Sequence, residues 1–173
     1  ELHLPNSLEY IGSCSFNDAG YFVGNLRIPD KITELHGATF SSKGSFKNGK
    51  LNLNNVIKYG HSEFQCCAFS GDLIIPEGTI EIPETFFVDY YGVGNLSRVV
   101  FPNSLRRIGE QAFYGQDKMC GNIIFPEGLV TIGEEAFRLC PQISSVELPS
   151  TLQMVGESAF NGCVNLSNIV CHA

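Results

Sequence analysis

The chain lacks the features that mark several large classes of protein. Basic residues are few and scattered: 11 Lys and Arg stand against 18 Asp and Glu in 173 residues, a formal net charge of −7. Because a phosphate-binding surface needs clustered positive charge, nucleic acid and anionic membranes are poor partners. No apolar run approaches the roughly 20 residues of a membrane span, and the sequence contains no signal peptide, so we expect no membrane insertion.

Catalytic and metal-binding patterns are also missing. No histidine has a Ser or Cys and an Asp or Glu at a spacing typical of a catalytic group. His61, Cys66 and Cys67 are close in sequence, but zinc sites normally show two well-separated ligand pairs. The glycines form no phosphate-binding pattern. We therefore expect no enzyme, no cofactor and no metal. The four histidines are His3, His36, His61 and His172.

What the chain does contain is a repeat. The phrase Leu-Pro-x-x-Leu-x-x-Ile-Gly-x-x-Ala-Phe recurs about every 24 residues from one end to the other. Its closing residues, here named the anchor phenylalanines, are separated by 23 to 26 residues. A fixed period of this length indicates a stacked repeat protein. The anchor phenylalanines are Phe16, Phe40, Phe64, Phe87, Phe113, Phe137 and Phe160.

One copy of the repeat, residues 99–113, shows how a coil would form. Val99 and Phe101 alternate with Val100, which is the period of a strand, and Pro102 ends that strand because it has no backbone donor. Gly109 permits a corner that a side chain would obstruct. The segment 110–113 is too short for a stable α-helix, so we expect a single helical or 3₁₀ turn before the anchor phenylalanine.

The pattern resembles that of BspA-type leucine-rich repeat proteins, which share it with Treponema-type repeats. The resemblance covers residues 2–171 and is strongest in residues 96–171. It implies a right-handed, curved solenoid with a parallel sheet on its concave wall. It further implies a surface-exposed or secreted adhesin that binds host matrix or cell-surface proteins, and it brings no catalytic residues. We predict one domain, residues 1–173, of about seven coils, excised from a longer protein whose targeting signals lie outside it.

Seven cysteines is an odd number, so complete pairing within the chain is impossible. Cys67, Cys140 and Cys163 hold one repeat position, three residues after an anchor phenylalanine. Either they are small buried side chains or they form disulfides between coils, whose equivalent Cα atoms lie about 5–6 Å apart. We predict that these three are buried and reduced. The more exposed cysteines are predicted to be Cys14, Cys66 and Cys120.

Two surfaces are candidates for binding. On each strand, the residue between two inward residues faces outward, and on three neighbouring coils this residue is Ile74, Val100 and Ile124, here named the apolar stripe. An exposed apolar patch often marks a partner site, although β-branched residues also suit any strand. Arg27 and Glu147 lie further along the same column and are predicted to place charge around the apolar centre.

The second candidate surface is the edge of the stack. Segments between an anchor phenylalanine and the next strand vary most at 17–25, 41–50 and 88–98, here named the rim loops. Insertions at one edge of a solenoid commonly mark its variable, binding side. The aromatic residues Tyr21, Phe22, Tyr90 and Tyr91 are candidate contacts there, and they would suit a carbohydrate.

Three hypotheses for function follow. The first is a non-enzymatic module for protein–protein interaction, of the adhesin type. The second is a carbohydrate-binding module that uses the rim-loop aromatics. The third is an intracellular scaffold that merely shares the repeat, which unpaired thiols would suit. Asn95-Leu96-Ser97 and Asn165-Leu166-Ser167 match the N-glycosylation pattern and would matter only in a secreted eukaryotic protein.

Overall fold

The computed structural model describes residues 1–172, and it shows a solenoid whose coils pack on one another in chain order. All strands are short and every pairing is parallel. The strands are β1 (Leu26–Arg27), β2 (Leu51–Asn52), β3 (Ser70–Ile74), β4 (Glu81–Ile82), β5 (Asn95–Val100), β6 (Arg107–Ile108), β7 (Gly121–Ile124), β8 (Thr131–Ile132), β9 (Ile143–Leu148), β10 (Met154–Val155) and β11 (Asn168–Cys171).

The strands form two walls. One wall is a single sheet in the order β10-β8-β6-β4. The other wall contains the remaining strands, but it is divided into three sheets: β1-β2, β3-β5 and β7-β9-β11. The sequence predicted only one sheet wall, and it predicted that wall as continuous. Because β4, β6, β8 and β10 have only two residues each, the alternation in their wall is too brief to read from sequence.

No residue between 1 and 172 is helical, so the predicted helical or 3₁₀ turns are wrong. Gln111, within the segment 110–113, adopts a left-handed φ of 51°. The amide of Phe113 donates to the carbonyl of Ala136 in the next coil, 2.8 Å away, instead of to its own segment. A chain whose amides bond to the neighbouring coil cannot close a helical turn. Consistently, no helix in this part of the chain is long and apolar enough to cross a membrane.

The anchor phenylalanines form the predicted row. Their rings stack coil upon coil, with centroid separations between 5.1 and 6.5 Å. The five inner rings are buried, whereas Phe16 and Phe160 are half-buried because each lies in an end coil with a ring on one side only. Seven anchors enclose about six complete turns, so the expected count of seven coils is too high.

A second phenylalanine row was not predicted. Phe22, Phe46 and Phe69 stack on one another at 5.4 and 4.6 Å and contact the first row edge-on. They come from the rim-loop side of the first coils, where the sequence shows no repeat phrase. Farther along, Phe101 and Phe125 at the ends of β5 and β7 stack at 5.5 Å. Aromatic contact between coils therefore continues along the stack, but its source changes from loops to strands.

Both walls are interrupted between the coils that contain β2 and β3. No ladder joins β2 to β3, and none joins Lys58 to β4 on the opposite wall. The corners of these coils remain bonded, since the amide of Phe64 donates to the carbonyl of Phe86 at 3.0 Å. The interruption coincides with Tyr59, which stands in a column of Leu, Ile and Val and packs edge-on against Phe86 at 4.9 Å. We attribute the interruption beside Lys58 to this larger ring.

The predicted packing role of the cysteine column is confirmed. Cys67, Cys140 and Cys163 are buried and free. Each thiol donates to the carbonyl oxygen of the anchor phenylalanine one coil back, at sulfur–oxygen distances of 3.0 to 3.2 Å. Burial raises the pKa of the Cys67 thiol to about 12. These groups therefore stay protonated and serve as small apolar side chains.

Cys66 is buried, so the prediction that it is exposed is wrong, whereas Cys14 and Cys120 are exposed as expected. The rim loop 88–98 explains the difference. The Cys66 amide donates to the carbonyl of Val88 at 2.8 Å, at the start of that loop. Which residues an inserted loop covers depends on its conformation, and that conformation cannot be read from the spacing of the repeats.

Candidate binding surfaces

The apolar stripe is exposed, as the strand period predicted. Ile74 and Val100 are paired Cα partners of β3 and β5, and their exposed fractions are 63% and 42%. Ile124, in β7, is 61% exposed. Large apolar side chains at this level of exposure on neighbouring coils form one surface feature.

Val100 and Ile124 do not lie on paired strands, which corrects the expectation of three adjacent ladder neighbours. β5 and β7 belong to different sheets, although the amide of Cys120 donates to the carbonyl of Ser97 near their start. A groove of about 400 Å³ lies where the ladder is missing, and both side chains line it. Phe101 and Pro126 also line this groove. The stripe therefore contains a recess, which a flat ladder would not provide.

The charges predicted around the stripe are placed unequally. Glu147 pairs directly with Ile124 across β9 and β7, and its carboxylate accepts a hydrogen bond from the Asn122 amide at 2.5 Å. Arg27 pairs with Asn52 in the separate β1-β2 sheet and forms an ion pair with Asp30. Glu147 thus borders the stripe, whereas Arg27 lies beyond the interruption between β2 and β3.

A polar column beside the stripe was missed by the sequence reasoning. It contains the outward residues two positions before the stripe, so it lies on the same face. Asp72 and Arg98 are register partners and form an ion pair at 2.5 Å. Asn122 and Ser145 are likewise partners, with a hydrogen bond of 2.9 Å. The two-residue period of a strand could have identified this column, because the residues two positions before the stripe also face outward.

Among the rim-loop aromatics, Tyr21, Tyr90 and Tyr91 are exposed. The Tyr90 hydroxyl donates to Oε1 of Gln111 at 2.8 Å, which fixes its ring. The ammonium of Lys43 lies 3.9 Å from the Tyr91 ring centroid, a cation–π contact between two rim loops. These three tyrosines remain candidates for contact with a partner.

Phe22 is not a rim contact, which corrects the prediction. Its ring is half-buried and stacks on Phe46 at 5.4 Å, while its edge meets Phe16 at 6.3 Å. The neighbouring Tyr21 points to solvent instead. Adjacent aromatic residues in an extended segment face opposite ways, so only one of the two can join the core.

A buried carboxylate orders the rim loop 88–98. Asp89 accepts hydrogen bonds from the amides of Tyr91 at 2.9 Å and Gly94 at 2.5 Å. An Asp side chain that bonds amides ahead of it in the chain builds a local turn. Tyr90 and Tyr91 are therefore presented by a structured loop rather than by a loose one.

A polar pocket of about 440 Å³ lies beside Tyr91. The loop residues Asn17, Asp18 and Lys43 line it together with His61 and Gln65. This combination of an exposed ring with amide and charged side chains offers both a stacking surface and hydrogen-bond groups. The pocket brings together all three rim loops, which are far apart in sequence.

The histidines form no catalytic arrangement in the part of the chain that the structure describes. His3, His36 and His172 each have a nearby carboxylate, from Glu1, Glu34 and Glu147, at 3.0 to 3.9 Å. Across residues 1–172, no three His, Cys, Asp or Glu side chains converge as a metal site.

Comparison with known proteins agrees with this architecture. The model of the BspA type leucine rich repeat region matches residues 1–90 and 88–173, in six copies. The crystal structure of a leucine-rich repeat protein from Bacteroides ovatus is similar, with 30% identity and a TM-score of 0.78. The similarity covers 96% of this chain but 41% of that chain, so the present sequence spans less than half of that protein.

A leucine-rich repeat protein from Eubacterium ventriosum is much less similar. It shares 15% identity with a TM-score of 0.33, over 92% of this chain and 70% of that chain. Among curated proteins, none matches the chain.

Proposed function

Because the chain belongs to the BspA-type leucine-rich repeat family, we propose that it is a protein-interaction module that binds its partner through the apolar stripe. Repeats of this family are generally protein-interaction modules. The observation that carries the proposal is the exposure of Ile74, Val100 and Ile124 on one wall, with a recess between the last two. An apolar centre bordered by polar groups is how interfaces are commonly built.

The polar column supports the same proposal. The Asp72–Arg98 pair and the Asn122–Ser145 pair run parallel to the stripe on the same face. A partner segment lying across the strands would meet the apolar stripe on one side and the polar column on the other. The polar groups would fix its register, while the stripe would supply burial of about 25 cal/mol for each Å² of apolar surface.

We further propose that the parent protein acts at the cell surface or after secretion as an adhesin for host matrix or cell-surface proteins. The support for this step is the resemblance of the repeat to surface proteins of that type. Antibodies against this chain should label intact producing cells. Labelling only after the cells are permeabilised would favour the intracellular scaffold instead.

The test of the interaction face is a charge placed in the recess. Purified matrix proteins would be passed over the immobilised chain, and each binder would then be measured against the Val100→Glu variant. We expect affinity to fall about tenfold or more, because the new carboxylate would lose its hydration in the interface. Stability should change by less than about 0.5 kcal/mol, since Val100 faces solvent.

The matched control is Ile80→Glu. Ile80 is, like Val100, an exposed β-branched apolar residue, but it precedes β4, on the opposite wall. This variant should bind like the parent chain. Equal loss in both variants would indicate a general charge effect, and unchanged binding by Val100→Glu would exclude the stripe.

A second candidate function is glycan binding at the rim, favoured by the polar pocket beside Tyr91. The Lys43 ammonium already contacts that ring, so a sugar would have to stack on the free face or displace the lysine. A glycan array would test this candidate. Binding that Tyr91→Ala abolishes and Val100→Glu leaves intact would support it, and an array without signal would exclude it for the glycans sampled.

A further inference from the structure

A second pocket, of about 370 Å³, lies on the other side of the rim loop 88–98. Tyr90 and Tyr114 line it, together with the apolar side chains of Leu139 and Pro141. Asp89 and Asp117 also line the pocket. The two neighbouring tyrosines of this loop therefore line different pockets, Tyr91 a polar one and Tyr90 an aromatic one with acidic residues.

The aromatic pair is held in place. The ring centroids of Tyr90 and Tyr114 are 5.5 Å apart at an interplanar angle of 53°. The hydrogen bond from the Tyr90 hydroxyl to Gln111 restrains one ring, and half of Tyr90 remains exposed. Two inclined rings at this separation offer their negative faces to a cation, which is the arrangement that aromatic cation sites use.

The charge around the pocket is negative. The Asp89 carboxylate is buried, and its hydrogen bonds come from uncharged backbone amides. Asp117 contacts the Lys118 ammonium through Oδ2 at 2.9 Å, whereas its Oδ1 is buried and has no hydrogen-bond partner among residues 1–172. Burial raises the pKa of the Tyr90 phenol, and nearby ionisable groups including Glu135 and Glu110 raise it further. A positive ligand would be attracted here.

The same edge of the molecule already uses cations on tyrosine rings. Besides the Lys43–Tyr91 contact, the Arg138 guanidinium lies 6.0 Å from the Tyr114 ring centroid. Arg138 is ion-paired with Glu135, so its charge is balanced locally. The chain thus shows in two places that these rings attract positive side chains.

We infer that the pocket of Tyr90, Tyr114 and Asp117 binds an alkylammonium or guanidinium side chain, a lysine or arginine that a partner protein presents. The rings would contact the cation, Leu139 and Pro141 would pack along its aliphatic stem, and the Asp117 carboxylate would attract its charge. Only the source of the cation rests on the proposed protein-binding function; the pocket itself can be tested without a partner.

The experiment is an NMR titration of the ¹⁵N-labelled chain with Nα-acetyl-lysine methylamide. Parallel arms use the norleucine analogue, which has a similar stem without the ammonium, and methyl glucoside. We expect saturable shifts at the amides of Tyr90, Tyr114 and Asp117 with the lysine compound alone. Tyr90→Leu and Tyr114→Leu should each weaken binding about two- to fivefold, whereas Tyr21→Leu, outside this pocket, should have no effect.

Asp117→Asn and added salt provide a second readout that needs no aromatic substitution. Both should weaken lysine binding, because each reduces the charge attraction. The inference is overturned if norleucine shifts the same amides equally, if only the glucoside binds, or if Asp117→Asn and salt change nothing. Val100→Glu should keep the lysine response, so failure of the stripe and failure of this pocket are distinguishable.

Discussion

The N-terminal half of the chain, residues 1–87, and the C-terminal half, residues 88–172, build the same coil from different side chains. In the C-terminal half, Ala112, Ala136 and Ala159 precede the anchor phenylalanines and are buried. Coils with these small residues stack backbone on backbone, and the sheet β10-β8-β6-β4 continues through all of them. In this half the residue before each anchor phenylalanine is therefore the same in every coil.

In the N-terminal half the same column holds Ser15, Thr39, Glu63 and Phe86. Glu63 is buried, and its carboxylate accepts hydrogen bonds from the amides of Gly37 at 2.7 Å, Gly60 at 2.9 Å and Thr39 at 3.1 Å. Burial raises the Glu63 pKa, and these amide donors oppose that shift. The Glu63 carboxylate thus links neighbouring coils through hydrogen bonds, at a position where the coils of the C-terminal half have a small alanine.

The row of anchor phenylalanines, rather than the sheets, is the element that joins all the coils of both halves. Both walls are interrupted between the coils of β2 and β3, and one wall is interrupted between β5 and β7, yet the anchor phenylalanines and the corner hydrogen bonds continue across both places. The apolar stripe begins on β3 and extends into the C-terminal half, so it spans the boundary between the two halves.

The largest effect should follow loss of an inner anchor. Phe137→Ala removes a ring that is buried and stacked between Phe113 and Phe160, and we expect about 3–5 kcal/mol lower unfolding free energy in urea. Phe16→Ala, at the half-buried end of the row, should cost clearly less. Equal losses for the two variants would contradict a row whose strength depends on neighbours on both sides.

The next effect separates the halves. Glu63→Ala introduces the residue that the C-terminal half uses in this column, but it leaves the Gly37 and Thr39 amides without their acceptor. Because each buried unsatisfied group costs about 1–3 kcal/mol, we expect a loss of at least about 2 kcal/mol in urea unfolding. Glu63→Gln retains one carbonyl acceptor and should lose less. A neutral Glu63→Ala would show that the two halves are interchangeable at this position.

Smaller changes in stability are expected from two variants that compare the same glycine position of the repeat in both halves. A Cβ on Gly133 would lie 2.6 Å from the carbonyl carbon of Gly109, whereas a Cβ on Gly12 has no neighbour closer than 3.5 Å. Gly133→Ala should therefore cost about 1–3 kcal/mol through strain, and Gly12→Ala should be neutral or stabilising by up to about 1 kcal/mol. Thermal unfolding of both variants would check this, and a tolerated Gly133→Ala would mean that the coils are less closely stacked.

Features that depend on local geometry could be predicted from the sequence, whereas features that depend on a neighbouring coil or an inserted loop could not. The spacing of the anchor phenylalanines predicted their row, and the strand period predicted the exposure of Ile74, Val100 and Ile124, because both follow from local geometry repeated along the chain. The left-handed φ of Gln111, which excludes a helical turn, depends on bonds to the next coil. Likewise, the burial of Cys66 depends on the fold of an inserted loop, and the interruption between β5 and β7 carries no sequence signal that we can identify.

The most direct test of the account is methyl NMR of the complex with a matrix protein that the binding screen identifies. If the apolar stripe is the interface, the methyl signals of Ile74, Val100 and Ile124 should shift or broaden together on binding. Those of Ile80, on the opposite wall, should stay unchanged. Signals that change near Tyr90 and Tyr91, at Val93 and Leu139, while the stripe stays silent would contradict the account and place the partner on the rim.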